Sequence, residues 1–274
     1  MIVMASALGF AAAPAAAQNV AMVTDVSGKV TGTVAVTILA EIPADARVQL
    51  EAGARMVAIY LKSGDEYSFT GPSQVQFQAG EPKVLSGAKL QKRASPLGKG
   101  GNITIKPVGV AQAAYVMRSG RTTARIKLLA PTGTRTLESS PEFRWQAIES
   151  GVKYRFELTD ETGRSLHESE TEGASLKLPA SVALREGASY TWEVSARAAD
   201  NRRYVSAGDF SVAPAPVKAQ AQALRPPASA PVSQRVAYAA WLEQVELRDE
   251  ARRYWRALST ERPDDAKLKA LAAE

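Results

Sequence analysis

Tyr190-Thr191-Trp192-Glu193-Val194-Ser195-Ala196 is the clearest alternation in the chain, with Tyr190, Trp192, Val194 and Ala196 on one side and polar residues between them. A period of two is that of a strand with one buried face, so the even-numbered side chains form a core and the odd-numbered ones face water. The neighbouring sequence repeats the pattern. Phe143 and Trp145 alternate, as do Tyr154, Phe156 and Leu158, and Asp160-Glu161-Thr162-Gly163 then marks a turn. Leu176 and Leu178 precede Pro179, and Phe210 and Val212 close the series. About seven strands over residues 125–213, with aromatic inward positions, predict a small β-sandwich.

A second set of alternations lies upstream, over residues 18–90. Val34, Val36 and Ile38, then Val48 and Leu50, Tyr67 and Phe69, and Val75 and Phe77 read as strands. Turn punctuation separates them at Ser27-Gly28, Gly53, Ser63-Gly64-Asp65, Gly71-Pro72 and Gly80-Glu81-Pro82. Met56 to Leu61 is apolar throughout, which predicts a central strand covered on both faces. The fold class is therefore mainly β: two small antiparallel β domains.

Between the two β regions, residues 91–124 read as a basic linker, with Ile103 and Ile105 ahead of Pro107 forming one short strand. No acid occurs between Glu81 and Glu138, against Lys83, Lys89, Lys92, Arg93, Lys99, Lys106, Arg118, Arg121, Arg125, Lys127 and Arg135. Residues 214–231, with Pro214, Pro216, Pro226, Pro227 and Pro231, read as a semi-extended linker. Beyond it the period becomes helical. Val236, Ala239, Ala240 and Leu242, then Ala251, Tyr254, Trp255 and Leu258, then Leu268 and Leu271 define three amphipathic helices over residues 232–274. Pro263 with Asp264-Asp265 ends the second and caps the third. Trp241, Tyr254 and Trp255 read as a seam between helices rather than a partner groove.

Composition bounds the rest. The 274 residues carry 34 Lys+Arg against 28 Asp+Glu, one His and no Cys, and are 45% apolar and 23% charged. That is the composition of a globular protein. Without Cys there is no disulfide, thiolate–zinc site, iron–sulfur cluster, catalytic thiol or cysteine-linked lipid, and one His excludes a multi-histidine metal site. Residues 1–17, MIVMASALGFAAAPAAA, hold an uncharged apolar run, a break at Pro14 and small residues before Gln18. They match the core and cleavage region of a secretory signal peptide and are too short for a bilayer span.

Three stretches resemble known families. Val26-Ser27-Gly28-Lys29-Val30, Leu50-Glu51-Ala52-Gly53-Ala54-Arg55 and Tyr67-Ser68-Phe69-Thr70-Gly71-Pro72-Ser73-Gln74-Val75 resemble the FecR-type periplasmic domain. Two departures from FecR regulators weigh against direct sigma-factor control: no cytoplasmic segment precedes a membrane span, and Ser63-Gly64-Asp65 replaces an acidic-Gly turn. Residues 125–213 look like a fibronectin type III sandwich. Pro141-Glu142-Phe143-Arg144-Trp145 resembles its early core strand, and Leu184-Arg185-Glu186-Gly187-Ala188-Ser189-Tyr190 its tyrosine corner. Residues 233–273 resemble a tetratricopeptide-like helical hairpin with one further helix, through Ala251, Trp255 and Pro263. A single such repeat buries its own face poorly and should dock on the sandwich or a partner.

Candidate chemistry is sparse. His167 with Ser165, Ser169 and Asp160 invites comparison with a nucleophile–His–acid set, but no strained nucleophile turn accompanies it and it reads as surface. Asp65-Glu66 and Glu168, Glu170, Glu172 lack calcium-loop spacing and read as solvated faces. Gly98-Lys99-Gly100-Gly101 lacks the remainder of a phosphate-loop pattern. The basic segment stands out: Lys89, Lys92, Arg93, Lys99, Lys106, Arg118, Arg121 and Arg125 are the candidate contacts to an anionic surface such as phospholipid, lipopolysaccharide phosphate or acidic glycan.

The sequence thus predicts an exported, non-catalytic periplasmic protein without cofactor or metal. It would bind or relay signals, with an envelope protein, a membrane-bound sensor, peptidoglycan or anionic lipid as partner, and with no nucleic acid and no transmembrane segment. Two rival readings are a periplasmic arm of an iron-responsive transmembrane relay and a glycan-acting enzyme using paired carboxylates.

Overall fold

The computed structural model describes residues 18–95 and 124–273. The expected signal peptide and the strand expected at Ile103 and Ile105 lie outside the described residues. The fold is mainly β, with four helices at the C-terminal end.

The first β unit has two sheets. One has the order β3 (Glu41–Pro43), β1 (Asn19–Ser27), β5 (Arg55–Tyr60), β6 (Asp65–Thr70), β9 (Gln91–Ala94). The other has the order β2 (Val30–Gly32), β4 (Arg47–Leu50), β7 (Ser73–Phe77), β8 (Pro82–Gly87). Between them Val48, Leu50, Met56, Ala58, Tyr60, Tyr67, Phe69, Val75 and Phe77 form one core. Strand β5 is central and covered on both faces, as its apolar run predicts: Ala58 and Tyr60 face this core, and Ile59 packs into the helical cluster. Two glycines are fixed by close approach. Gly28 turns the chain from one sheet to the other at φ +75°, where a Cβ would lie 2.8 Å from the Ala54 Cα. At Gly71 a Cβ would stand 1.8 Å from the Glu51 carbonyl oxygen.

Two expectations for this unit need correction. Val34, Val36 and Ile38 form no strand; they lie on a loop that bends at Leu39, whose φ is +63°. Ile38 is nevertheless buried, beneath the helices, so burial at alternate positions arises there without sheet pairing. The basic linker does not begin at Gln91. Residues 91–94 are the edge strand β9, paired antiparallel with β6, and their charges suit an exposed edge.

The second β unit packs a three-stranded sheet, β10 (Leu128–Ala130), β12 (Glu142–Trp145), β15 (Ser175–Lys177), on a five-stranded one, β11 (Thr134–Thr136), β17 (Arg203–Val212), β16 (Ser189–Arg197), β13 (Tyr154–Asp160), β14 (Ser165–Thr171). Phe143, Trp145, Tyr154, Phe156, Tyr190, Trp192 and Phe210 form its core. The rings of Phe143 and Trp192 meet edge to face at 5.2 Å, a favoured aromatic geometry. The Trp192 indole N–H donates to the Pro131 carbonyl at 2.7 Å. The Arg185 amide donates to the Tyr190 hydroxyl at 2.7 Å, so the phenol ties its loop to the next strand.

The linker expected over 214–231 is also corrected: it contains helix α1 (Ala215–Leu224). Pro216 sits in the first turn, where a helix tolerates proline, and good helix formers follow. Then come α2 (Val232–Gln244), α3 (Arg248–Glu261) and α4 (Ala266–Ala273). Asp265 caps α4, accepting the Lys267 and Leu268 amides at 2.9 and 3.0 Å. Helix α2 is buried along most of its circumference. The Tyr238 hydroxyl donates to Ala221 of α1 at 2.8 Å, and the Trp255 indole of α3 donates to Glu243 at 3.3 Å. Trp241 and Trp255 are 2% and 1% exposed, which makes them seam rather than groove. Among the described residues, no helix is long and apolar enough to cross a membrane.

Candidate functional site

The helices do not hang from the β units; they join them. Met22, Ile38 and Ile59 of the first unit and Ala213 of the second share a single apolar cluster with Val236, Trp241, Trp255 and Leu258. On the first unit, Arg262 at the end of α3 holds Asp25 through both guanidinium nitrogens, Nη2 at 3.3 Å from Oδ2, and Nη1 also donates to the Val26 carbonyl. On the second, the Arg135 amide donates to the Glu246 carbonyl at 2.7 Å, and its guanidinium pairs with the Glu246 carboxylate at 3.0 Å. Helix α3 has no cap from its own N-terminal residue. The Thr134 hydroxyl instead accepts the Arg248 and Asp249 amides at 3.0 and 3.4 Å. A strand of the sandwich thus satisfies amides that would otherwise be orphaned. The two β units are thus fastened by one helical clasp.

Of the groups singled out from sequence for chemistry, Asp160 and most of the acids have structural partners, whereas the Ser169 hydroxyl is buried without a hydrogen-bond partner. Asp160 Oδ1 accepts the Thr162 hydroxyl at 2.6 Å and the Thr162 and Arg164 amides, while Oδ2 meets Arg164 Nε at 3.2 Å. These donors, the Thr162 hydroxyl foremost, hold its carboxyl down at about 2 against an ordinary 3.8. His167 lies half-buried on the edge strand β14, 6.3 Å from the Phe156 ring and in register with Leu158. The acids flagged as possible cation ligands are matched by bases: Asp65 with Lys92 at 2.9 Å, buried Glu66 with Arg93, Glu168 with Arg155 at 2.9 Å, and Glu172 with Lys153 at 4.0 Å. Glu170 stands in register with Arg155.

The depressed Asp160 value sets a pH dependence. A carboxyl lowered on folding adds stability that is complete above its unfolded value and disappears as pH falls through the folded one. The wild-type chain is expected to lose turn stability between pH 3.8 and about 2, and Asp160→Asn should flatten that part of the profile while lowering stability at neutral pH. Thermal melts of both proteins across this range check it; parallel profiles would contradict it.

Of the eight basic residues picked out for an anionic surface, the four described ones are divided between the two β units. Lys99, Lys106, Arg118 and Arg121 lie outside the described residues. Lys92 is engaged: its hydrogen bond to Asp65, with a further one to Tyr67, pushes its ammonium up to about 12, and it sits 5.5 Å from the Tyr67 ring centre. Arg93 holds buried Glu66. Lys89 is exposed on the first unit, and Arg125 is exposed on the second.

A different basic group does converge, on the outer face of the five-stranded sheet. Lys153, Arg155, Arg197 and Arg203 surround an open depression of about 210 Å³, lined also by Ser195, Ala196 and Glu170. Strand pairing builds it: Arg155 faces Ser195, and Arg197 faces Arg203 across the β16–β17 hairpin. Sequence reading missed these residues because Lys153 and Arg155 lie more than 40 positions from Arg197 and Arg203. The one available signal was the short hairpin turn, which sets Arg197 opposite Arg203.

No family model matches the chain, and no curated protein matches it. Among solved structures, CopC from Methylosinus trichosporium OB3b is similar over 33% of this chain and 95% of its own, at 20% identity and a TM-score of 0.26.

Proposed function

We propose that this chain is an exported, non-catalytic cell-envelope protein that binds or relays, with a FecR-like first unit and a fibronectin type III-like second unit. The observation that carries this reading is the clasp. The C-terminal helices cover an apolar face of the first unit and cap onto the second, so the outer faces of both units are left for contacts, held as one body. The glycine corners at Gly28 and Gly71 support the FecR-like assignment, and the Tyr190–Arg185 tie supports the fibronectin-like one. Export rests on residues 1–17 as sequence. In this reading one unit contacts envelope glycan, lipid or a receptor, and the other a membrane-bound sensor.

The test has two parts. Expressed with its native N-terminus, the chain is expected in the periplasmic fraction, cleaved after Ala17. Crosslinking in intact envelopes should then capture a specific envelope protein, or the purified chain should sediment with peptidoglycan or anionic vesicles. Cytoplasmic retention, or failure to engage any of these, would overturn the proposal.

A further inference from the structure

The depression on the second unit has a charge arrangement that the protein itself leaves unbalanced. Arg197 and Arg203 stand directly opposite each other on neighbouring strands, a like-charge pairing that disfavours the sheet unless something neutral or anionic lies between. Arg197 donates at 2.6 Å to the side-chain oxygen of Asn201, which carries no charge. Among the described residues, Arg203 has no carboxylate within ion-pairing distance. Arg155 pairs with Glu168 at 2.9 Å and also has Glu157 and Glu170 near its guanidinium, and Lys153 lies 4.0 Å from Glu172, so the unmatched charge rests on Arg197 and Arg203. Glu170 is the carboxylate in the lining itself.

A fifth cation joins from the segment flagged in the sequence. Ala124 bridges to Tyr204 in parallel, and its carbonyl accepts the Val205 amide at 3.2 Å. Ile126 is buried in the sandwich core, so alternation along the backbone sets Arg125 on the outer face beside Val205, next to Arg203. Lys153, Arg155, Arg197, Arg203 and Arg125 therefore share one end of one sheet face. Guanidinium groups present paired N–H donors that match two oxygens of a tetrahedral anion, and the Ser195 hydroxyl adds a further donor in the lining.

We propose that this depression binds a phosphate group, with Arg197 and Arg203 as its principal contacts and Arg125, Arg155 and Lys153 as the surrounding field. The opening is shallow and faces outward, which suits a phosphate presented from outside, by a lipid headgroup or as the free ion. The proposal deepens the binding reading above by naming a ligand chemistry, and rests on it only in treating this face as a contact surface.

Two probes separate the sources: inorganic phosphate, followed by amide NMR shifts at constant ionic strength, and phosphatidylglycerol vesicles compared with phosphatidylcholine ones. Both are applied to the wild-type chain, to Arg197→Ala/Arg203→Ala and to Glu170→Gln. The double variant should weaken binding about tenfold in whichever arm the wild type binds, and Glu170→Gln should tighten it. Added salt should weaken vesicle binding, as screening requires. Loss in the double variant supports the site, and the arm in which it occurs names the source. Wild-type binding of neither probe, or equal binding by wild type and double variant, overturns it. Either failure leaves captured envelope partners untouched, so it is distinct from failure of the envelope reading.

Discussion

Trp192→Ala is expected to lower the unfolding free energy of the second unit by about 3–5 kcal/mol, the usual cost of emptying a buried tryptophan site. The residue is fully buried and meets Phe143, Trp145 and Phe156, with ring centres 5.2 to 6.2 Å away. Its indole also satisfies the Pro131 carbonyl, which would lose its partner. Against total domain stabilities of about 5–15 kcal/mol, this is enough to unfold a large fraction of molecules in mild denaturant. Trp192→Phe separates the two contributions: it keeps much of the ring packing and removes the N–H donor, so about 1–3 kcal/mol should be lost. Urea titrations followed by far-UV circular dichroism read both, and a Trp192→Ala protein as stable as wild type would show that the sandwich core is not built around this ring.

The second large effect concerns the clasp. Trp255→Ala removes a side chain that is 1% exposed at the α2–α3 seam and ends its hydrogen bond to Glu243. A local loss of about 3–5 kcal/mol is expected here too, but its consequence differs. Neither β core contains Trp255, so both sandwiches should keep their strands while the helices loosen from Met22, Ile38 and Ile59. The units would then move relative to each other, and the newly uncovered apolar face should bind a hydrophobic dye and favour aggregation. Loss of β signal in this variant would instead mean that the helices are part of the sandwich cores.

What the sequence made legible follows physical locality. Strands β12, β13 and β16 and the Tyr190 tie could be read directly, because alternation and the Leu184–Tyr190 spacing are set within one loop and one strand. Strand β9 could not. Its first three residues are polar or charged, without apolar alternation, and its strand character comes from pairing with residues 65–68 of β6, well upstream in the sequence. Helix α1 was hidden by prolines that punctuate its start and follow its end, although the ten residues between are compatible with a helix. Val34, Val36 and Ile38 mislead for the opposite reason, since alternating burial is a property of the surfaces a loop touches as well as of a sheet. The basic depression was invisible because hairpin and cross-strand register, rather than sequence neighbourhood, gathers Lys153, Arg155, Arg197 and Arg203. The clasp was half legible: a lone helical repeat signals that it must dock, but only the tertiary contacts of Arg262 and Thr134 show that it docks on both units at once.

That double docking is the claim on which the rest depends, and the absence of native cysteine makes it directly measurable. Ala79→Cys on the first unit and Ala180→Cys on the second are exposed sites for a pair of spin labels. Double electron–electron resonance on the labelled chain should give one narrow distance distribution, which broadens on adding Trp255→Ala. A broad distribution in the otherwise wild-type chain, unchanged by Trp255→Ala, would mean that the β units swing independently and that the helices do not hold them together.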